Sequence, residues 1–500
     1  MNLTHTRCFG LENFQRQSSY RMEEDQKQNR INNSSCVCWC FGRNTTREPD
    51  EEKNKNQSVG FTHMQKISLL MLALGAFMSV CSMSIISPFF PGVSAKKGVP
   101  ASVSGLIFSV YALVVFLSSP VFGKVLPKVG AKPMFTIGAF VSGVSNMIFG
   151  LIDRLDNYPS FVAASFIIRI IEALGASAYN IASYVLIVDL FPNHVGTIRG
   201  LLETFIGLGL SAGPGIGGLL YAVGGFSLPF YVSGSIAIII AVVNMFVLPQ
   251  PKREVLEKGG SLIDLLRLPS VFVTCVMTVV VAVSVSFLDP TLEPHLREKF
   301  GLSPSQVGLL FVLSAATYGI SSPIMGWIGD KTSSYVALMS VGLLGSFLML
   351  LFLGPSPILS FIEDSVWLNA VTLGVLGVFA AMTLIPTYQH IIDNALEEGF
   401  PDCLSTHSAI SGLWSSAYSL GEVIGPTMGG ALMQKFSFPV AASTVAGINL
   451  ILAVGGAAFF KIKKKRKEMK VMSSNENKYA IDNAICCVET EGRVSYCVRL

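Results

Sequence analysis

Five ionisable side chains sit inside stretches of this chain that are otherwise apolar: Arg169, Glu172, Glu203, Asp289 and Glu422. A charge in a lipid-spanning segment costs a few kcal/mol to insert, so each is a candidate for work. Arg169 and Glu172 are three apart, share a helical face and can pair. The pair either fixes its helix or lets Arg169 hold Glu172 and respond when a neighbour takes up a proton. Asp289 precedes Pro290, and a helix breaker beside a carboxylate frees backbone carbonyls, which suits a cation and proton site; the alternative is an interfacial aspartate in water. Trp414, Tyr418 and Glu422 recur every four residues and form one stripe. Aromatic rings leading to a carboxylate suit an ammonium ligand, although such a stripe also serves ordinary packing. Glu203 lies near the start of its segment, as a gate or an interfacial residue.

The chemistry these groups offer is ion exchange. Leaving water disfavours the charged form of a carboxylate, so such a group can hold or release a proton depending on the side it faces. If a cation and a proton compete for the same carboxylates, the two cannot cross together, and the result is antiport. No phosphate-cradling Gly-x-x-x-x-Gly-Lys-Ser/Thr loop occurs in the sequence. It shows neither a nucleophile–base arrangement nor a metal-ligand cluster, and none of its six histidines is central in an apolar stretch. The expectation is therefore no enzyme and no cofactor, with a proton gradient as the source of energy. The expected partners are a small organic cation, protons and membrane lipid, without nucleic acid, and the chain is expected to be a monomer.

These groups need a membrane scaffold. Apolar residues make up 51% of the chain and charged residues 14%, against roughly a quarter charged in soluble proteins; the mean hydropathy is +0.56. Twelve spans can be read, at 67–90, 103–123, 134–152, 160–187, 201–222, 229–248, 270–290, 305–325, 336–354, 367–387, 406–430 and 439–460. They repeat. GLGLSAGPGIGG at Gly207–Gly218 returns as SLGEVIGPTMGG at Ser419–Gly430, so that Gly209, Gly213, Pro214, Gly217 and Gly218 recur at Gly421, Gly425, Pro426, Gly429 and Gly430. GLIF and SSPVFG (Gly105–Phe108, Ser118–Gly123) return as GLLF and SSPIMG (Gly308–Phe311, Ser321–Gly326). Two parallel halves of six helices follow, 67–248 and 270–460, joined by a linker at 249–269. The small residues of the repeated run let a neighbouring helix approach closely, and its proline bends the span. They are expected to shape and seal rather than to touch substrate.

An even number of spans puts both tails on one side. The basic run Lys461–Lys470 makes that side cytoplasmic by the positive-inside rule, and attraction to anionic lipids adds to it. Lys124, Lys128, Lys132, Arg199, Lys252, Arg253, Lys258, Arg267 and Lys331 are assigned to loops on the same side. Residues 1–66 read as a disordered cytoplasmic tail and 461–500 as a basic one. Asn2, Asn33, Asn44 and Asn56 would then stay unmodified. Cys36, Cys38 and Cys40 lack the second pair or the histidines of a zinc site, which leaves inert or acylated thiols.

Gly209–Gly218 resembles the antiporter signature on the fifth span of the major facilitator superfamily, an all-α membrane fold of twelve helices in two six-helix halves. The run from Arg169 through Glu172 to Gly175 resembles that superfamily's fourth-span motif, and Gly326 to Asp330 and Lys331 its loop motif between spans eight and nine. In the first half the matching place, Gly123–Gly130, has Pro127 where the aspartate of the charge latch is usual. Ser84–Pro91, Leu201–Phe205, Phe287–Pro294 and Ile385–Tyr388 are similar to the vesicular amine transporters, best of all to the polyamine branch. That resemblance covers 67–460 and implies a proton-coupled antiporter of organic cations in vesicles, by alternating access, with Asp289 at the family's acidic seventh-span position. The acid that monoamine members carry in their first span would fall near Ser79, yet Leu69–Ile86 has no charge, and Val371–Ile385 has none either. Both departures argue against monoamines. The alternatives are a transporter of the same fold for a drug, a monoamine or an organic anion, and a transport-inactive receptor or scaffold.

Overall fold

The computed structural model describes residues 61–87, 89–249, 262–302, 304–359, 361–482, 486–488 and 496–498. The expected N-terminal tail, its cysteines and Asn-x-Ser/Thr sites, and most of the linker, Lys252, Arg253 and Lys258 included, lie outside these. The first six spans are α1 (His63–Ser84), α3 (Ala101–Val129), α4 (Ala131–Phe149), α5 (Tyr158–Leu190), α6 (Val195–Gly224) and α7 (Ser227–Val247), with a short α2 (Phe90–Lys96) after the first. After α8 (Leu262–Arg267), the second six are α9 (Pro269–Ser286) continued by α10 (Leu288–Phe300), α11 (Pro304–Thr332), α12 (Tyr335–Phe352), α13 (Val366–Glu397), α14 (Leu404–Lys435) and α15 (Phe438–Asp482). A three-residue antiparallel ribbon, β1 (Cys486–Val488) with β2 (Tyr496–Val498), follows. The chain is an all-α multi-pass membrane protein in two six-helix halves.

Eleven of the described helices are long and apolar enough to cross a bilayer; α14 is not among them. The reason is local. Nearly every residue from Leu404 to Ser419 is buried, among them Thr406, His407, Ser408, Ser411, Ser415, Ser416 and Ser419. A span that faces protein on all sides can be polar, and its buried hydroxyls find partners: Ser411 donates to the His407 carbonyl at 2.8 Å and Ser416 to the Phe116 carbonyl of α3 at 2.9 Å.

The glycine repeat proves to be one packing device used twice. A Cβ on Gly209, Gly213 or Gly217 would run into Phe77, Ser84 and Ile85, which seats α6 on α1; on Gly421, Gly425 or Gly429 it would meet Ala282, Ser286 and Thr291, which seats α14 on the α9–α10 column. Each half adds the same hydrogen bond, Ser84 Oγ to the Gly209 carbonyl at 3.3 Å and Ser286 Oγ to the Gly421 carbonyl at 3.2 Å. A Cβ on Gly218 or Gly430 would meet nothing within 4 Å.

The cores say how the halves meet. One buried cluster joins both halves at the end where α1 begins and α15 leaves, from Leu72, Val185 and Ile198 to Leu384, Ile391 and Leu413. At the far end the halves have separate cores, one around Phe89, Phe90, Phe149 and Phe230, the other around Phe287, Leu292, Leu353 and Phe438. The protein is sealed at its terminal end and divided at the other.

One expectation needs correction. Asp289 is not at the end of its span: α9 ends at Ser286, Phe287 keeps helical dihedrals (φ −64°, ψ −24°), and Asp289 lies in the first turn of α10, which carries the span on to Phe300. The basic tail is helical to Asp482, and Lys463 reaches back to Ser270 Oγ at 2.6 Å and Glu398 at 3.0 Å.

Candidate functional site

Within the first half, α5 buries Arg169 and Glu172 to 2% and 1% exposure. Arg169 Nη1 donates to Glu172 Oε2 at 2.8 Å, and Asn146 Nδ2 from α4 donates to Oε1 at 3.2 Å. The Arg169 guanidinium also lies 5.1 Å from the centre of the Tyr111 ring of α3. Spacing brought the pair together as expected; Asn146 and Tyr111 were not legible, since each comes from another helix.

In the second half Asp289 is exposed and Glu422 half-buried, yet both lie deep among protein atoms. The half-buried Tyr111, Tyr184, Tyr318 and Tyr418 share that combination. Groups that are deep but open line a cavity rather than an outer surface. Glu422 is close enough to Asp289 and Glu203 for their charges to act on one another, and Tyr111 feels both Glu172 and Glu422. Tyr111 of the first half is thus within electrostatic reach of an acid from each half. Neither Asp289 nor Glu422 has an ion-pair partner among the described residues. A small apolar pocket whose lining includes Ser79, Ser82 and Tyr179 and no acid lies inside the first half.

The terminal end of this cavity is closed by a group that the sequence reading placed on a loop. Arg199 lies in the second turn of α6 with 1% of its surface exposed. Its guanidinium sits 3.6 Å from the Trp414 ring centre, 4.7 Å from Tyr388 and 4.9 Å from Tyr184, rings from α14, α13 and α5. None of its three nitrogens has a hydrogen-bond partner among the described residues, and its nearest carboxylate oxygen, Glu203 Oε1, is 3.6 Å away. A hydropathy profile cannot tell such a cation from a loop cation, because the rings that accept it are remote in sequence. The spacing of Arg199 and Glu203, four apart on one helix face, was the available signal.

This changes the aromatic stripe. Trp414 donates its Nε1–H to Thr387 at 2.8 Å and stacks on Tyr418 at 5.6 Å, but its free face is taken by Arg199 rather than left for a ligand. Glu203 is buried rather than interfacial, and it accepts from Tyr318 Oη of α11 across the halves at 3.0 Å. Asp330 ends α11 rather than standing in a loop. It accepts from the N–H groups of Gly196 and Thr197 at 2.9 and 2.7 Å and from Thr197 Oγ1 at 2.6 Å, so the second half caps α6 of the first. Gly326 and Gly196 are in backbone contact, with no room for a side chain on either. The matching first-half place, Pro127, has no carboxylate to offer α14. That contact is made by Gly123 against Gly412 and by Ser119, which bonds Ser415 at 3.0 Å.

Comparison with known proteins agrees with this architecture. The family model described as Major Facilitator Superfamily matches residues 72–273 and again 274–482, once per half. MFS-type transporter SLC18B1 of Homo sapiens is 36% identical over 435 residues, covering 86% of this chain and 95% of that protein. Its Mus musculus counterpart is 38% identical over 395 residues, covering 79% and 85%. The human synaptic vesicular amine transporter is 23% identical over 357 residues, covering 70% of this chain and 65% of its own. The crystal structure of the human organic anion transporter MFSD10 (TETRAN) superposes with a TM-score of 0.61 at 17% identity, covering 78% of this chain and 99% of that one, a likeness of fold alone. With two helical halves clamped by a repeated glycine motif and a family match over both, the chain belongs to the major facilitator superfamily and is a membrane transporter of the MFS type, related to SLC18B1 and more distantly to the vesicular amine transporters.

Proposed function

We propose that this transporter exchanges organic cations, polyamines foremost, for protons across an intracellular vesicle membrane by alternating access, with both termini in the cytoplasm. One observation carries the choice of cation: the uncommitted charge on the cavity wall is negative. Arg169 is committed to Glu172 and Arg199 to its ring box, whereas Asp289 and Glu422 have no ion-pair partner among the described residues. A substrate bearing ammonium groups supplies it, and protons supply it in the substrate's absence, which makes the exchange obligatory. The first-span stretch Leu69–Ile86, without a charge, favours a ligand whose charges are met elsewhere. Kinship with SLC18B1 above the vesicular amine transporters points the same way.

A polyamine spaces several ammonium groups along a chain and can meet both acids, while a monoamine meets one. Each charge pair surrendered at a partly desolvated site costs about 1–3 kcal/mol, or roughly ten- to a hundredfold in affinity. The test is uptake by purified protein in proteoliposomes under an imposed proton gradient, with spermine, spermidine, serotonin, dopamine and an organic anion as competitors. Spermine is expected to compete best, then spermidine, then the monoamines, and Glu422→Gln to narrow the gap between spermine and the monoamines. A monoamine that outcompetes spermine in the unmodified protein overturns the polyamine reading.

A further inference from the structure

Glu203 is the only carboxylate in ion-pair contact with Arg199 among the described residues, and its two oxygens are divided between two tasks. Oε1 is 3.6 Å from Arg199 Nη2, and Oε2 accepts from Tyr318 of the opposite half at 3.0 Å. The next residue also crosses the halves, Thr204 Oγ1 donating to the Gly319 carbonyl at 2.5 Å. The groups facing Glu203 can be enumerated. Arg199 lies on its own helix, Tyr318 on α11, and the charge of Glu422 on α14 reaches it. Tyr184 of α5 and Tyr418 of α14 are within its electrostatic influence. The sequences of α1 from Leu69 to Ser84 and of α7 contribute no charged side chain.

We infer that Glu203 is the coupling carboxylate of the terminal-end seal, whose protonation strips Arg199 of its counter-charge and releases the two halves there. The inference rests on the antiporter reading above and adds to it the place where the proton acts on conformation. With Glu203 ionised, the sealed end holds a neutral pair. A proton arriving from the cavity side, where Glu422 is nearest, leaves the same enclosure with one net positive charge. Among the described residues the guanidinium has no hydrogen bond to fall back on, only three ring faces drawn from both halves. An unpaired buried charge destabilises the arrangement that encloses it, and Arg199 regains water by parting α6 from α13 and α14. The order suits exchange: a proton taken up at the far end opens the terminal end, and its loss there restores the pair and closes it. Glu203 need not touch the substrate for this; it is a positioning residue that acts through Arg199.

The test reads the seal directly. Nitroxide labels on Lys128→Cys and Ser333→Cys, exposed positions on opposite halves at the terminal end, are placed on full-length protein whose native cysteines have been replaced. Their separation is measured in lipid nanodiscs by pulsed electron spin resonance, without substrate, from neutral to mildly acidic buffer. The unmodified protein is expected to shift its distances from a closed to a longer population as pH falls. Glu203→Gln should show the longer population at every pH and lose the shift. The double variant Arg199→Gln/Glu203→Gln, which leaves no charge at the seal, should lose the shift as well and serves if the single variant does not fold. A full shift retained in either variant overturns the inference. Because no substrate is present, a shift seen together with a failure to transport spermine would refute the substrate reading and leave Glu203 in place.

Discussion

Removing Arg169 should be severe, and removing Glu172 with it should be milder. The carboxylate of Glu172 is 1% exposed and has two partners, Arg169 at 2.8 Å and Asn146 at 3.2 Å. In Arg169→Ala the neutral amide of Asn146 is left to stabilise a full buried charge alone, a loss of about 3–5 kcal/mol. Folded domains are stable by only about 5–15 kcal/mol, so much of the margin goes. Changing Glu172 to Gln as well removes the charge but keeps an oxygen that can accept from Asn146. The remaining cost is then the lost packing of the guanidinium against Tyr111. The double variant should recover about 2–3 kcal/mol, which is a roughly 30- to 150-fold change in the folding equilibrium. Unfolding free energies of the four members of the cycle, measured in bicelles by steric trapping, give the coupling term, with yields from matched expression as a second reading. If the double variant is no more stable than Arg169→Ala, the two residues are not energetic partners and the buried-charge argument fails.

Asp289→Asn should abolish gradient-driven uptake while protein levels stay near normal, because its side chain is open to the cavity and holds nothing together; full uptake would remove it from the site. Gly213→Ala and Gly425→Ala should cost similar amounts, about 1–3 kcal/mol each by overpacking, since each new methyl meets the equivalent serine, Ser84 or Ser286. A large loss at one and none at the other, read as thermal stability in detergent, would break the equivalence of the two halves. Asp330→Asn should weaken three hydrogen bonds that join the two halves at the terminal end. Thiol labelling at that end should therefore rise, and unchanged labelling would show that the cap does not hold the seal.

The residues that could be read from the sequence are those whose partners lie on the same helix or recur in the other half. The Arg169–Glu172 pair follows from a spacing of three, and the α1–α6 and α9–α14 clamps follow from a glycine run that appears twice. What sequence periodicity cannot convey is the third dimension between spans. Arg199 reads as a loop cation because Tyr184, Tyr388 and Trp414 come from three other helices. Asp289 reads as a span end because proline reads as a stop, although a proline two residues into a helix segment interrupts little. The twelfth helix needed to complete the count is the one whose composition a hydropathy window rejects, since such a window assumes that a span meets lipid.

That helix has a consequence for how the protein is made. A segment leaves the translocon for lipid when its own apolarity suffices, and α14, with hydroxyls at Thr406, Ser408, Ser411, Ser415, Ser416 and Ser419 and a carboxylate at Glu422, falls short of that. Its hydroxyls are met by α3 and by its own backbone, and its glycines by α9. Residence of α14 in the membrane is thus conferred by helices synthesised long before it, and α3 belongs to the other half. Biogenesis of the second half should therefore depend on the first being in place. A chain begun at α9 should fail to retain its eleventh span, whereas the same chain supplied with the first half as a separate polypeptide should keep it.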